Sequence, residues 1–323
     1  MAKLKDLAQR PERLSGGHRL CPGCGVPPVV RMALRSTDAH LVVGAATGCL
    51  EVSTTIYPYT AWRISFIHNA FENVAATISG AETAYRALKR RGKINAPYKF
   101  IAFGGDGGTY DIGIQALSGA MERGHNMVYI CYDNEAYQNT GNQRSSSTPH
   151  GSDTTTTPVG TKSFGRAGRR KDLTAIMAAH HIPFVAQATA DNWNVLSRIM
   201  QRALDVEGPA FLNILTPCVP GWKYDEKETV NISRLAAKTC FWPSYEVDQG
   251  VWKLNYIPKE KLPVEEFLKP QGRFRHLFRP ENRHVIDELQ QEVDDNWEEL
   301  LIRCGKKLPG EKTASAEGQP KKA

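Results

Sequence analysis

The sequence predicts an α/β protein built on a doubly wound, mostly parallel sheet. Three observations lead there. Five short, nearly continuous apolar runs, "LVVGAA" (41–46), "KFIAFG" (99–104), "MVYICY" (127–132), "PFVAQA" (183–188) and "AFLNIL" (210–215), have the pattern of strands covered on both faces. Segments with helical spacing alternate with them, the clearest being 71–91, 112–124, 172–181 and 194–206. Finally, 323 residues at 41% apolar composition suffice for one large domain with trimmings, or for two small ones. In such a sheet ligands bind beyond the carboxyl ends of the strands, where "GGDGG" (104–108) and "DNEAYQNTG" (133–141) both fall.

Several classes are disfavoured at once. No run approaches the ~18 apolar residues of a membrane span. The N-terminal "MAKLKDLAQRPERLSGG" is charged and lacks the apolar stretch of a signal peptide, so a cytoplasmic location without a membrane partner is expected. The net charge of +7 is a mild excess spread along the chain. Three parts are predicted: a ligand-binding domain over 1–220, an extension over 221–304, and a polar, disordered tail over 305–323. Within the first, 139–170 is a long Ser-, Thr-, Gly- and Arg-rich loop whose place after a strand end favours function. The extension is irregular and rich in Trp, Tyr and Pro. It then closes on a helix with Val285, Ile286, Leu289, Val293, Trp297, Leu300 and Leu301 on one face. It reads as an arm packed on the domain or on another subunit, with Trp222, Trp242 and Trp252 at subunit contacts.

The cysteines come next. "HRLCPGCG" sets Cys21 and Cys24 in a glycine-rich turn that lets both sulfurs face one metal, zinc or iron–sulfur. A zinc ribbon would need a second close Cys or His pair, and there is none; the other cysteines stand alone. Cys49, in "TGCLEV", follows the first predicted strand and Cys218, in "TPCVPG", the last, so all four thiols can meet at one sheet edge. The plainer reading of Cys49 and Cys218 is an ordinary buried cysteine. Cys131 and Cys304 read as packing residues, and Cys240 has no assignment.

An acid inside a glycine loop would repel a phosphate unless a cation stood between them. Asp106 and Asn134, emerging at the ends of adjacent strands, supply two oxygens for a hard cation such as Mg²⁺, and the Ala136 carbonyl a third. Gly105 and Gly107 let the backbone approach a diphosphate. The alternative is a turn whose acid caps a helix.

These blocks resemble a known family. "CPGCG", "TGCLEV" with "YPYTAW", "IHNAFEN", "FGGDGGTYDIGIQALSGA", "YDNEAYQNTG" and "PCVPGW" run in order from residue 18 to about 223. They are similar to motifs of pyruvate-type beta subunits of the 2-oxoacid:ferredoxin oxidoreductases, which are thiamine-diphosphate enzymes. The resemblance implies the thiamine-diphosphate-binding fold, one [4Fe–4S] cluster on Cys21, Cys24, Cys49 and Cys218, and Mg²⁺ on Asp106, Asn134 and the Ala136 carbonyl. It places Asn139 beside the reacting centre as the catalytic residue, with Gly48, Cys49, Gly105, Asp106, Gly107, Asn134, Ala136, Asn139 and Thr140 around the cofactor.

The implied reaction is reversible oxidative decarboxylation of pyruvate with coenzyme A and ferredoxin, in a complex with alpha-, gamma- and delta-type subunits. Asn142, where a smaller or apolar residue would suit pyruvate, keeps oxalate and branched 2-oxoacids as alternatives. The ylid-forming glutamate of the family belongs to a partner subunit; Glu51, Glu72 and Glu135 are the local candidates, and the chain alone is expected to be inactive. Two rival readings are a non-redox thiamine-diphosphate lyase or synthase, and a zinc-ribbon nucleic-acid protein. No aromatic-basic strip supports the latter, so no nucleic-acid partner is expected.

Overall fold

The computed structural model describes residues 4–306. The chain enters through α1 (Leu4–Gln9) and α2 (Val26–Arg35), the latter started by prolines in its first turn, and then alternates. In order come β1 (His40–Ala46), α3 (Cys49–Thr54), β2 (Ser65–Asn69), α4 (Val74–Arg90), β3 (Tyr98–Gly105), a π-helical turn (Gly107–Ile112), α5 (Ile114–Glu122) and β4 (Val128–Asp133). The long loop carries only the short hairpin β5 (Val159–Gly160) and β6 (Ser163–Phe164). Beyond it lie α6 (Leu173–Ala178), β7 (Phe184–Thr189), α7 (Trp193–Asp205), β8 (Ala210–Leu215), α8 (Val219–Trp222), α9 (Thr229–Lys238), β9 (Tyr245–Asp248), β10 (Val251–Leu254), α10 (Glu265–Leu268) and α11 (Arg283–Arg303). Asp172 and Asn192 fix the starts of α6 and α7 by accepting from Ala175 N and Val195 N.

Eight strands form one sheet in the order β10-β9-β7-β8-β4-β3-β1-β2. From β7 to β2 all pairings are parallel, while β9 and β10 are antiparallel. Every residue of β4, β7 and β8 is buried, which is why these strands read as unbroken apolar runs. One core joins the sheet to α2 and α7; the other joins it to α4, α5, α6, α9 and α11. The seven apolar residues predicted on one face of α11 are all buried. No helix of the described residues is long and apolar enough to cross a membrane.

Some expectations need correction. The segment 112–124 is not one helix: the π-helical turn occupies its start and α5 begins at Ile114. Strands β2, β9 and β10 and helix α2 lie outside the predicted set. Trp222 and Trp242 serve no subunit contact: both are fully buried in this chain, and their indole nitrogens donate to Asn134 O and Ala188 O, each at 2.9 Å. Trp252, half-buried, stacks on Tyr245. Of the tail expected to be disordered, 307–323 lies outside the described residues.

Candidate functional site

Segments following β1, β2, β3 and β4 meet at the carboxyl edge of the sheet and line one cleft. Gly48, Cys49, Gly105, Gly107, Asn134, Ala136, Asn139 and Thr140 all line it. Thr47, Phe71, Tyr132, Tyr137 and Gln138 also line it without having been predicted; each stands in or beside a quoted motif, which is the only signal the sequence offered. Packing explains two of the glycines. A Cβ at Gly107 would lie 2.4 Å from the Tyr137 ring, and one at Gly48 2.9 Å from the Tyr132 hydroxyl.

Asp106, between two glycines that line the cleft, is not itself a lining residue and has no solvent exposure. It occupies the N-cap of the π-helical turn, yet its side chain caps nothing. Its Oδ1 accepts from Asn134 N at 3.2 Å and its Oδ2 from Ser145 Oγ at 2.5 Å, so the carboxylate is turned toward the end of β4. Burial, with the Asp133 carboxylate next, pushes Asp106 well above the usual carboxylate range; the Ser145 bond opposes this. The Asn134 carboxamide places one outer atom 2.9 Å from both Asp106 Oδ1 and Ala136 O. Two arrangements satisfy that place: the amide nitrogen donating to both oxygens, or the amide oxygen sharing a cation with them.

The long loop supplies hydroxyls to three acids in succession. Ser145 donates to Asp106, Ser146 to Asp111, and Ser147 to both oxygens of Asp133 at 2.8 and 2.6 Å. Burial, followed by Glu135, lifts Asp133 to about 6. Asn142 has a left-handed backbone (φ 61°), a conformation asparagine tolerates better than most residues, which is reason enough for an asparagine there. The three candidate glutamates differ in state. Glu72 is exposed, Glu51 is held by Thr55 Oγ1 at 2.5 Å and His68 Nδ1 at 2.6 Å, and Glu135 is buried between Arg170 and Arg273.

The four thiols belong to distant parts of the chain but lie near enough for Cys21, Cys24 and Cys49 each to act on Cys218. Cys49 opens α3 and Cys218 stands at the N-cap of α8. Gly25 N donates to Pro217 O at 3.2 Å, tying the "CPGCG" turn to the Cys218 loop. Inside that turn Gly23 has φ +70°, and a Cβ there would meet Glu226 O at 2.5 Å. Burial first, with the neighbouring thiols adding to it, raises Cys24 and Cys218 to about 12 and Cys49 to about 11. A hydrogen bond from Asn139 opposes the shift at Cys49. All are free thiols, and no group of three or more His, Cys, Asp or Glu among the described residues stands in metal-holding geometry. Cys131 lies in β4, Cys304 caps α11, and Cys240 is buried at φ 57°.

Residues 46–214 match the family of thiamine pyrophosphate enzymes, C-terminal TPP-binding domain. The chain is 54% identical over 308 residues to pyruvate synthase subunit PorB of Thermotoga maritima, covering 92% of this chain and 95% of that protein. It is 43% identical to the PorB of Pyrococcus furiosus, at 94% and 98% coverage, and 40% identical to ketoisovalerate oxidoreductase subunit VorB of Pyrococcus abyssi, at 90% and 92%. Among solved structures it shares its fold with a 2-oxoglutarate:ferredoxin oxidoreductase from Magnetococcus marinus. That match has a TM-score of 0.53 and 21% identity, and covers 69% of this chain and 79% of the other.

Proposed function

The chain belongs to the pyruvate synthase beta-subunit family of the 2-oxoacid:ferredoxin oxidoreductases and carries the thiamine-diphosphate-binding domain of such a complex; on that premise we propose how its residues divide the work. Asp106, Asn134 and the Ala136 carbonyl hold Mg²⁺ against the diphosphate, and Gly48, Gly105, Gly107 and Thr140 shape the cleft around the cofactor. The single observation that carries this is the close meeting of the Asn134 carboxamide with Asp106 Oδ1 and the Ala136 carbonyl. Ligands ~2.1 Å from an octahedral cation are about 3.0 Å from one another, and 2.9 Å separates the Asn134 outer atom from each of the other two donors.

Cys21, Cys24, Cys49 and Cys218 are the proposed ligands of a [4Fe–4S] cluster. The donor set fits for Cys24, Cys49 and Cys218, since half-buried thiols whose neighbours raise their proton affinity ionise together only around a cationic centre, and the exposed Cys21 lies beside them. When bound, the two groups supply an electron sink for loss of CO₂ from a 2-oxoacid and a one-electron acceptor beside it. The chain's own residues bind and orient. Asn139 reaches both the cleft and the Cys49 sulfur, which supports a role for it in holding the substrate between the two proposed centres.

We assign pyruvate as the substrate because the relatives at 54% and 43% identity are pyruvate synthase subunits, whereas the 40% relative is named for ketoisovalerate. Coenzyme A and ferredoxin are the co-substrates, and alpha-, gamma- and delta-type subunits the partners. A divided site accords with the three occupied or exposed glutamates, none of which is free inside the cleft. Tyr57 and Tyr59, 93% and 79% exposed in the loop after α3, suit a subunit contact. Seven free cysteines accord with a reducing cytoplasm. The test is Asp106→Ala in the co-purified complex. Calorimetry should show loss of Mg²⁺-dependent thiamine diphosphate binding with cluster iron retained; unchanged affinity would place the cation elsewhere.

A further inference from the structure

Glu135 stands between Asn134 and Ala136, and all of its polar atoms are engaged. Its amide donates to Asp133 Oδ1 at 2.9 Å and its carbonyl accepts from Thr148 Oγ1 at 2.6 Å. Its carboxylate, with no exposure, takes Arg170 Nη1 on Oε1 at 3.1 Å and Arg273 Nη2 on Oε2 at 2.5 Å. Its backbone is left-handed at φ 63°, a strained state for glutamate that persists only where the surroundings over-determine it. That single reversal brings the Asn134 carboxamide to 2.9 Å from the carbonyl two residues on.

Both arginines are themselves fixed. Arg273 comes from the 3₁₀ turn Gly272–Phe278, lies 3.9 Å from the Trp222 ring centre, and donates from Nε to Gln271 Oε1 at 2.8 Å. Trp222 in turn donates to the Asn134 carbonyl at 2.9 Å. Arg170 lies 4.6 Å from the Trp242 ring centre and donates to Phe241 O at 3.1 Å. Burying an Arg–Glu–Arg group is a poor route to stability compared with apolar packing, which directs attention to the position it enforces.

We propose that Arg273 and Arg170, acting through Glu135, are positioning residues that hold the Asn134 carboxamide and the Ala136 carbonyl at cation-binding distance. This gives the segment after 220 a direct part in the site. The proposal rests on the reading of Asp106, Asn134 and Ala136 as oxygen ligands. The experiment therefore runs Asp106→Ala beside Arg273→Met and Arg273→Lys in the co-purified complex. It measures the Mg²⁺ concentration for half-saturation of thiamine diphosphate binding, the electron paramagnetic resonance spectrum with Mn²⁺ substituted, cluster iron, and melting temperature.

Arg273→Met should raise the Mg²⁺ requirement at least tenfold and broaden the Mn²⁺ spectrum with iron retained, while Arg273→Lys recovers part of the affinity. An unchanged Mg²⁺ requirement and Mn²⁺ spectrum in a folded Arg273→Met complex overturns the proposal. If that variant does not fold, Arg273→Lys decides by the same two readouts. If Asp106→Ala also leaves the Mg²⁺ requirement unchanged, the ligand assignment itself falls; if it abolishes binding while the Arg273 variants are silent, only the positioning role falls.

Discussion

Removing one hydroxyl, by Ser145→Ala, should weaken Mg²⁺-dependent cofactor binding without disturbing the fold. Ser145 Oγ lies 2.5 Å from Asp106 Oδ2, both residues are fully buried, and the contacts from Asn134, at 3.2 Å from its N and 2.9 Å from its carboxamide, fall on the other oxygen, Oδ1. A hydrogen bond to a charged group contributes about 1.5–3 kcal/mol, so its loss corresponds to roughly a ten- to hundredfold change in an equilibrium that needs the charged form. Asp106 is already held above the usual carboxylate range by burial and by Asp133, and Ser145 is the largest opposing influence. A cation and a proton therefore compete for Asp106, the proton more effectively than at an ordinary carboxylate. Affinity for Mg²⁺ should rise with pH, and Ser145→Ala should move that rise to higher pH, so the deficit is larger under mildly acidic conditions and narrows under alkaline ones. Calorimetric titration of Mg²⁺ with saturating thiamine diphosphate, repeated across pH and in buffers of different ionisation enthalpy, reads both affinity and proton release. Equal half-saturation in wild type and variant at every pH would refute the account of Asp106 as the ionising ligand.

Two further outcomes are expected. Cys218→Ala should lose most cluster iron in the purified complex, whereas Cys131→Ala, whose thiol is buried in mid-strand away from the other four, should keep it; equal iron in the two would remove Cys218 from the ligand set. The isolated chain, reconstituted anaerobically with iron, sulfide and thiamine diphosphate, should show no sustained pyruvate-dependent reduction of a viologen dye. Turnover by the chain alone would return the catalytic glutamate to Glu51, Glu72 or Glu135.

The legible part of the fold was the part whose burial is two-sided. β4, β7 and β8 announce themselves because nothing polar can face outward from them. β2 is an edge strand, half exposed, and "SFIHN" shows no such run. The hairpin β9–β10 hides for another reason. Gln249 and Gly250 both take positive φ in its two-residue turn, and Glu246 is buried in the strand because Arg198 Nη1 reaches it at 2.6 Å, so neither the turn nor the polarity pattern looks like sheet. At the site, the residues at strand ends were readable because their motifs are local. What escaped were contacts between residues distant in sequence. The Ser145–Ser147 run looks like ordinary loop chemistry until it is seen against three separate acids, and Glu135 looks like a spare carboxylate until Arg170 and Arg273 arrive.

The distance between Glu135 and Arg273 also sets an order of events during synthesis. The two are 138 residues apart, and at a translation rate of roughly 5–20 residues per second the arginine is joined to the chain about 7–28 s after the glutamate. Throughout that interval the nascent chain already contains Asp106, Asn134 and Ala136 but lacks Arg273, and until Arg170 is added it lacks both cations that neutralise the acid between them. Loss of the last sixth of the chain, Arg273 included, would leave that acid with Arg170 alone in an interior that tolerates unpaired charge badly. A chain that ends between Cys218 and Arg273 thus has all of the proposed cofactor-binding residues but not the Arg273 contact behind them.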